Sequence, residues 1–189
     1  MPITIGQKLD SDFRNPLGLL SDCHRRIRFF LLWLKTISEE RHGSRLQGES
    51  LRQFDVALRY FREAAPKHTL DEEESLFPRL RAHEKPETVA AFALIDKLHA
   101  DHEDAEIRHR QVDELGCKWL SEGSLSSGEA DQLISLLKDL KFTYEKHISL
   151  EDNELFPLAE NTLSRSELEA IAREMAARRG LGTVGGVSA

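Results

Sequence analysis

The sequence predicts an all-α chain, an up-down-up-down four-helix bundle followed by a short fifth helix. Three observations carry that expectation. Apolar residues recur at alternating spacings of three and four along four long segments, the stripe of amphipathic helices. Alternating apolar and polar runs flanked by hairpin turn pairs are absent, so nothing signals a strand. Short loops join the segments, which favours neighbours that run in opposite directions.

The first stripe is Leu17, Leu20, His24, Ile27, Leu31 and Leu34. Asn15 suits its N-cap and Pro16 its first helical position, and the segment ends near His42-Gly43. The second runs Leu51, Phe54, Leu58, Phe61, Ala65, His68, Glu72 and Leu76, with Ser50 and Gln53 as a capping box. Pro66 lies inside it and should kink or divide the helix, because proline lacks a backbone donor and crowds the preceding turn. Pro78 marks its expected end. The third stripe is Ala91, Ile95, Leu98, His102, Ala105, His109, Val112 and Trp119, opened by Pro86. After the loop SEGSLSSGE, Ser126 and Glu129 cap a fourth helix carrying Leu133, Leu137, Leu140, Tyr144, His147, Glu151 and Leu155. A fifth helix over about 165–179 starts at the capping box Ser164–Glu167 and stops at Gly180. The expected organisation is an N-terminal segment 1–14, a bundle 15–160, the short helix 161–179 and a mobile glycine-rich tail 180–189.

The totals narrow the function. The chain has 189 residues and a net charge of −7, with no basic stripe to displace counterions from phosphates, which argues against nucleic acid. The longest apolar run, FFLLWL at 29–34, is far too short for a membrane span. The N-terminus shows neither a basic n-region nor an apolar h-region, so a cytoplasmic protein is expected. Cys23 and Cys117 form no CxxC pair and read as inert, buried thiols of a reducing compartment.

One phrase is written twice. HTLDEEESLFP begins at His68 and HISLEDNELFP at His147, 79 positions later. Each reads histidine, three residues, glutamate, three residues, then Leu-Phe-Pro. Residues four apart share a helix face, and all four of His68, Glu72, His147 and Glu151 sit on the apolar stripes. Carboxylates facing a bundle core cost several kcal/mol apiece and repel one another unless a cation offsets them. Neutral imidazole with carboxylate suits iron, manganese or zinc. The helix before each phrase repeats too: His24 precedes His68 by 44 residues, and His102 precedes His147 by 45. Two helical hairpins would thus place four histidines and two glutamates around one core point. Two metals could share Glu72 and Glu151 as bridges, with His24 and His68 mainly on one and His102 and His147 on the other.

These residues resemble the hemerythrin-like HHE cation-binding family, whose order of lone histidine, His-x3-Glu, lone histidine, His-x3-Glu matches His24, His68/Glu72, His102 and His147/Glu151. The flanking DCHRRIRFFLLWL, EEESLFPRL and DNELFPLA fit as well, over roughly residues 15–160. The resemblance implies a four-helix bundle holding two iron ions with an oxo or hydroxo bridge and an open coordination position. Oxygen-carrying hemerythrins differ, using His-x3-His on the third helix and His-x4-Asp on the fourth. Four histidines instead of five point away from reversible oxygen carriage and towards a reactive or sensing centre.

The remaining candidates rank lower. His102 keeps the stripe register, whereas His99 lies about 60° around the helix. His109 reads as core or as an outer partner of the ligands, Tyr144 as packing or an outer donor, and His42 and His83 as solvent-exposed. In the run DEEE only Glu72 is expected to face inward, with Glu73 a lesser alternative. The reading that follows is a di-iron protein that binds or senses oxygen, nitric oxide, peroxide or redox state. The alternatives are a di-iron oxidase, peroxidase or iron–sulfur repair enzyme, and a metal-stapled domain that signals to a partner.

Overall fold

The computed structural model describes residues 11–181, and all regular structure among them is helical. The expected segments 1–14 and 180–189 fall partly outside the described residues. Helix α1 spans Pro16–Arg41, and the Gly18 N–H donates to Asn15 Oδ1 at 3.0 Å, the expected cap. It stops where His42 and Gly43 take positive φ of 41° and 76°. A Cβ on Gly43 would also stand 2.7 Å from the Leu125 carbonyl oxygen, so only glycine fits that corner.

Helix α2, Gly48–Glu63, begins earlier than the Ser50 capping box predicts. Gln47 holds the cap position in extended backbone without a side-chain bond, while Ser50 Oγ donates to the Gln47 carbonyl. Pro66 does divide the segment. Ala64 closes α2, and α3 (Ala65–Leu70) starts afresh.

Pro78 does not end the helix, against expectation. Asp71–Leu76 winds as a π-turn (π1), closed by the Phe77 N–H on the Glu72 carbonyl, and α4 continues over Phe77–Ala82. The fourth segment does the same. Helix α7, Ser127–Leu150, passes through a second π-turn (π2, Glu151–Leu155), closed by the Phe156 N–H on the Glu151 carbonyl, into α8, Phe156–Thr162. Each proline supplies no N–H and would crowd the carbonyl one turn back. A wider turn just ahead of it relieves the crowding and lets the helix run on.

Between these lie α5 (Pro86–Ala90) and α6 (Phe92–Glu122), separated at Ala91. Helix α9, Arg165–Arg178, opens with the predicted Ser164–Glu167 capping box and ends at Gly180, φ 69°. The Ser126–Glu129 box is present as well: Glu129 Oε2 accepts from the Ser126 N–H at 2.9 Å, and the Glu129 N–H reaches Ser126 Oγ at 3.4 Å.

The chain divides into two compact units. The second, residues 26–65 and 98–148, is a helical bundle around one apolar core: Leu31 and Leu34 from α1, Phe54 and Leu58 from α2, Val112 and Trp119 from α6, Leu133 and Leu137 from α7. Burying each such side chain contributes roughly 1.5–3 kcal/mol. Gly116 lets α6 approach α2 closely, since a Cβ there would meet the Leu58 methyls at 2.8 and 2.9 Å. Among the described residues the first unit takes in 11–25, 66–97 and 149–181 and buries Leu20, Leu76, Leu80, Leu155 and Ile171 together with polar residues. Among the described residues no helix is long and apolar enough to cross a membrane. The cysteines are not the buried thiols expected: Cys23 is half-buried, and Cys117 is exposed with Arg62 Nη2 at 2.9 Å.

Candidate metal centre

The first unit gathers four of the six predicted ligands. His24 comes from α1, His68 from α3, and Glu72 and Glu151 each from a π-turn. His24, Glu72 and Glu151 are 0% exposed and His68 is 5% exposed. His24 Nε2 stands 3.1 Å from Glu151 Oε2 and 3.7 Å from Glu72 Oε1, and His68 Nε2 lies 3.3 Å from Glu72 Oε1. The two imidazoles meet edge to face, centroids 4.9 Å apart. One ligand atom from each of the four lies within 4.8 Å of the others.

That arrangement fits a cation. Ligand atoms about 2.1 Å from a metal and at right angles to one another sit about 3 Å apart, and opposed ones about 4.2 Å. The observed separations fall in that range. The chemistry agrees: two carboxylates closed off from water need positive charge beside them. Burial alone would lower the His24 imidazole, but hydrogen bonds to Asp152, Glu151 and Glu72 outweigh it and hold His24 well above 6.5. The cluster thus draws in positive charge, from a proton or from a metal.

Asp152 was not foreseen. Its Oδ1 lies 2.9 Å from His24 Nδ1 and accepts from Ser21 Oγ at 3.0 Å. A carboxylate on Nδ1 keeps a proton there, so Nε2 is the atom turned towards Glu151 and Glu72, where it can carry a second proton or bind a cation. Phe156 stacks on the His24 ring, centroids 5.4 Å apart and planes 10° off parallel. In the sequence Asp152 is simply the acid after Glu151, and only the tertiary fold shows which histidine it meets.

Asp71 was also missed. It is fully buried, whereas Glu72 alone was expected to face inward. Arg178 Nη1 reaches Asp71 Oδ1 at 2.9 Å and Arg179 Nη2 reaches Oδ2 at 2.6 Å. Arg178 also donates to Ser75 Oγ at 2.9 Å and to Glu74 at 3.1 Å. Helix α9 therefore ties down π1 through charged bonds to the residue beside Glu72. Glu73 is half-buried.

The second unit brings the other two ligand candidates together. His102 Nε2 and His147 Nε2 are 3.0 Å apart, with centroids at 4.6 Å. His147 is 3% exposed, and Asp101 Oδ2 lies 3.5 Å from its Nδ1. His99 is instead exposed beside Glu103, at 3.8 Å. His42 is exposed beside Asp131, as expected. His83 is not fully exposed but half-buried, paired with Glu167 at 2.9 Å. His109 pairs with Tyr144, its Nε2 3.0 Å from the phenol oxygen.

Two comparisons with known proteins bear on this geometry. The family model described as Hemerythrin HHE cation binding domain matches residues 15–159. An uncharacterized protein of Haemophilus influenzae is 29% identical over 170 residues, covering 88% of this chain and 91% of that protein.

Proposed function

The chain belongs to the hemerythrin HHE cation-binding family, and on that premise we propose that it is a di-iron protein that binds or senses oxygen, nitric oxide or redox state. Metal-ion binding is the coarser property that family and geometry share; the buried cluster of His24, His68, Glu72 and Glu151 carries the proposal further. In this reading His24 and His68 would hold one iron and His102 and His147 the other, with Glu72 and Glu151 available to either. The duplicated His-x3-Glu phrase supports that division, since each copy would contribute equivalent ligands. We further propose the up-down-up-down order for the four long helices, and a cytoplasmic location. Manganese or zinc would suit the same donors.

Iron, when bound, would supply redox chemistry towards a small diatomic ligand or peroxide. The protein's own residues do the rest. Asp152 and Ser21 fix the His24 ring so that Nε2 faces the carboxylates. Phe156 covers the His24 face and keeps water from it. Arg178 and Arg179, through Asp71, hold the π-turn that carries Glu72.

The test begins with elemental analysis of the purified protein, followed by anaerobic reduction and titration with oxygen or nitric oxide. Two irons per chain and a near-ultraviolet spectrum that responds to either gas are expected. Iron bound without any spectral response would overturn the sensing assignment.

A further inference from the structure

We propose that Tyr144, hydrogen-bonded to His109, is a proton-coupled one-electron donor at the head of an aromatic relay that runs to Trp33. The inference lies within the second unit and rests on the reading above for its oxidant, a metal centre at His147 that would have given two electrons to hydrogen peroxide, whose O–O bond breaks as it leaves as water.

The geometry is a continuous series of ring contacts. Tyr144 stands edge-on to His147, with centroids 6.4 Å apart. Its hydroxyl lies 3.0 Å from His109 Nε2. His109 stacks on Phe61 at 4.6 Å, Phe61 meets Tyr60 at 5.3 Å, and Tyr60 stacks on Phe30 at 4.4 Å. Phe30 meets Trp33 at 5.8 Å, and the Trp33 ring is half-exposed to solvent. Both tyrosines and one of the two tryptophans of the chain stand on this path.

Aromatic rings in a helical core need no explanation beyond packing. The imidazole of His109 does. A phenylalanine there could stack on Phe61 equally well and would carry no polar atoms inside. The Nδ1 of His109 is closed to solvent and has no hydrogen-bond partner among the described residues, a cost an apolar ring avoids. Burial holds the imidazole near pH 7 as the neutral form, pushed down to about 4. What the imidazole adds is a basic nitrogen on the Tyr144 hydroxyl.

A phenol loses an electron readily only when its proton can leave at the same time. The phenol radical cation is a far stronger acid than imidazolium, so even this weakened base accepts the proton. The step balances as follows. Tyr144 gives one electron to the oxidised centre, its O–H bond breaks, and the proton moves to His109 Nε2, leaving a neutral tyrosyl radical. An electron from a small-molecule thiol at the surface enters at Trp33 and passes through Tyr60. His109 then returns the proton, and the thiol departs as a thiyl radical after losing its own proton. The oxidising equivalent therefore leaves the ligand cage through a chosen ring.

Pulse radiolysis tests the donor without iron chemistry. Azide radicals would oxidise the full chain after its metal is exchanged for redox-silent zinc. A tryptophan radical should convert within the molecule to a tyrosyl radical, seen by absorption and electron paramagnetic resonance. Tyr144→Phe should abolish the lasting tyrosyl signal, and Tyr60→Phe should slow its appearance. His109→Gln keeps an acceptor for the hydroxyl but no base, and should slow the rise of the tyrosyl signal about tenfold or more. Circular dichroism checks that each variant is folded, and His109→Phe provides a second base-free variant. An unchanged signal in Tyr144→Phe, or a wild-type rate of rise in both His109 variants, overturns the donor. A second arm adds hydrogen peroxide to the iron-loaded chain and should give the same signal. Its absence there, with the azide arm intact, overturns the peroxide-active centre and leaves the donor standing.

Discussion

The two units solve the problem of a stable interior in opposite ways. The second fills its centre with Leu31, Leu34, Phe54, Leu133 and Leu137, none of which asks for a partner beyond good packing. Even its buried Trp119 N–H finds a single acceptor, the Ser44 carbonyl at 3.1 Å. The first unit buries His24, His68, Asp71, Glu72, Ser75 and Glu151, a set with no stability of its own. Each member needs an opposite charge or a hydrogen bond placed to within a few tenths of an ångström. Packing energy is spread over many small contacts, whereas a buried charge depends on one or two specific partners. The comparison teaches that both units draw folding energy from apolar packing, whereas the polar cluster of the first depends also on ions, some built in and one class supplied from outside.

Three perturbations would break or sharpen that contrast. The largest effect is expected for Trp119→Ala, which empties a site 1% exposed and strips the ring packed against Phe54 at 5.1 Å. A loss of about 3–5 kcal/mol is expected from urea unfolding, equal in metal-loaded and chelator-treated protein. A loss that depends on metal would mean that the apolar unit does not stand by itself.

Next comes acid. The folded His109 titrates at about 4, below the ordinary 6.5, so the unfolded chain takes up the proton first. Its contribution is complete above pH 6.5, shrinks as pH falls, and is flat below 4. The expected loss from this group is about 3 kcal/mol by pH 4. His109→Phe should lessen the fall in urea midpoint between pH 7 and 4.5. Parallel wild-type and variant curves would show that the imidazole is not held neutral inside.

The smallest effect on folding, and the most local, is expected for Asp152→Asn. The amide keeps the shape but loses the charge that fixes His24 Nδ1–H at 2.9 Å. Metal affinity should fall by about 10–100-fold with little change in the unfolding of the apolar unit. Competitive titration against a coloured chelator reads the affinity directly. Retention of wild-type affinity would remove Asp152 from any part in the site.

Much of this contrast was legible in the sequence, for physical reasons. Helical phase places His68 with Glu72 and His24 with the first stripe, because the same 3.6-residue period governs leucines and ligands alike. The Ser126–Glu129 and Ser164–Glu167 boxes are local signals and are present as read. What stayed hidden depends on distance or on irregular winding. Asp71 is buried by arginines more than 100 residues away, which no pattern at short range can show. Asp152 gains its meaning only from His24, 128 positions back. The π-turns escape a 3.6-residue template, since a wider turn leaves the apolar spacing almost unaltered. Ser50 has the chemistry of a cap but lies inside the first turn, because Gly48 at φ 57° lets the helix start sooner.

The twin π-turns have one more consequence. In both copies the count from histidine to proline is ten, 68 to 78 and 147 to 157. Each wide turn takes up about one residue more than an α-turn, so removing one there would restore ordinary winding and leave the following Leu-Phe-Pro facing much the same way. Removing one from an α-helical stretch would instead swing everything beyond it by about 100° about the axis. The two phrases are therefore more forgiving of a lost residue in the wide turn than in the α-helices that flank it.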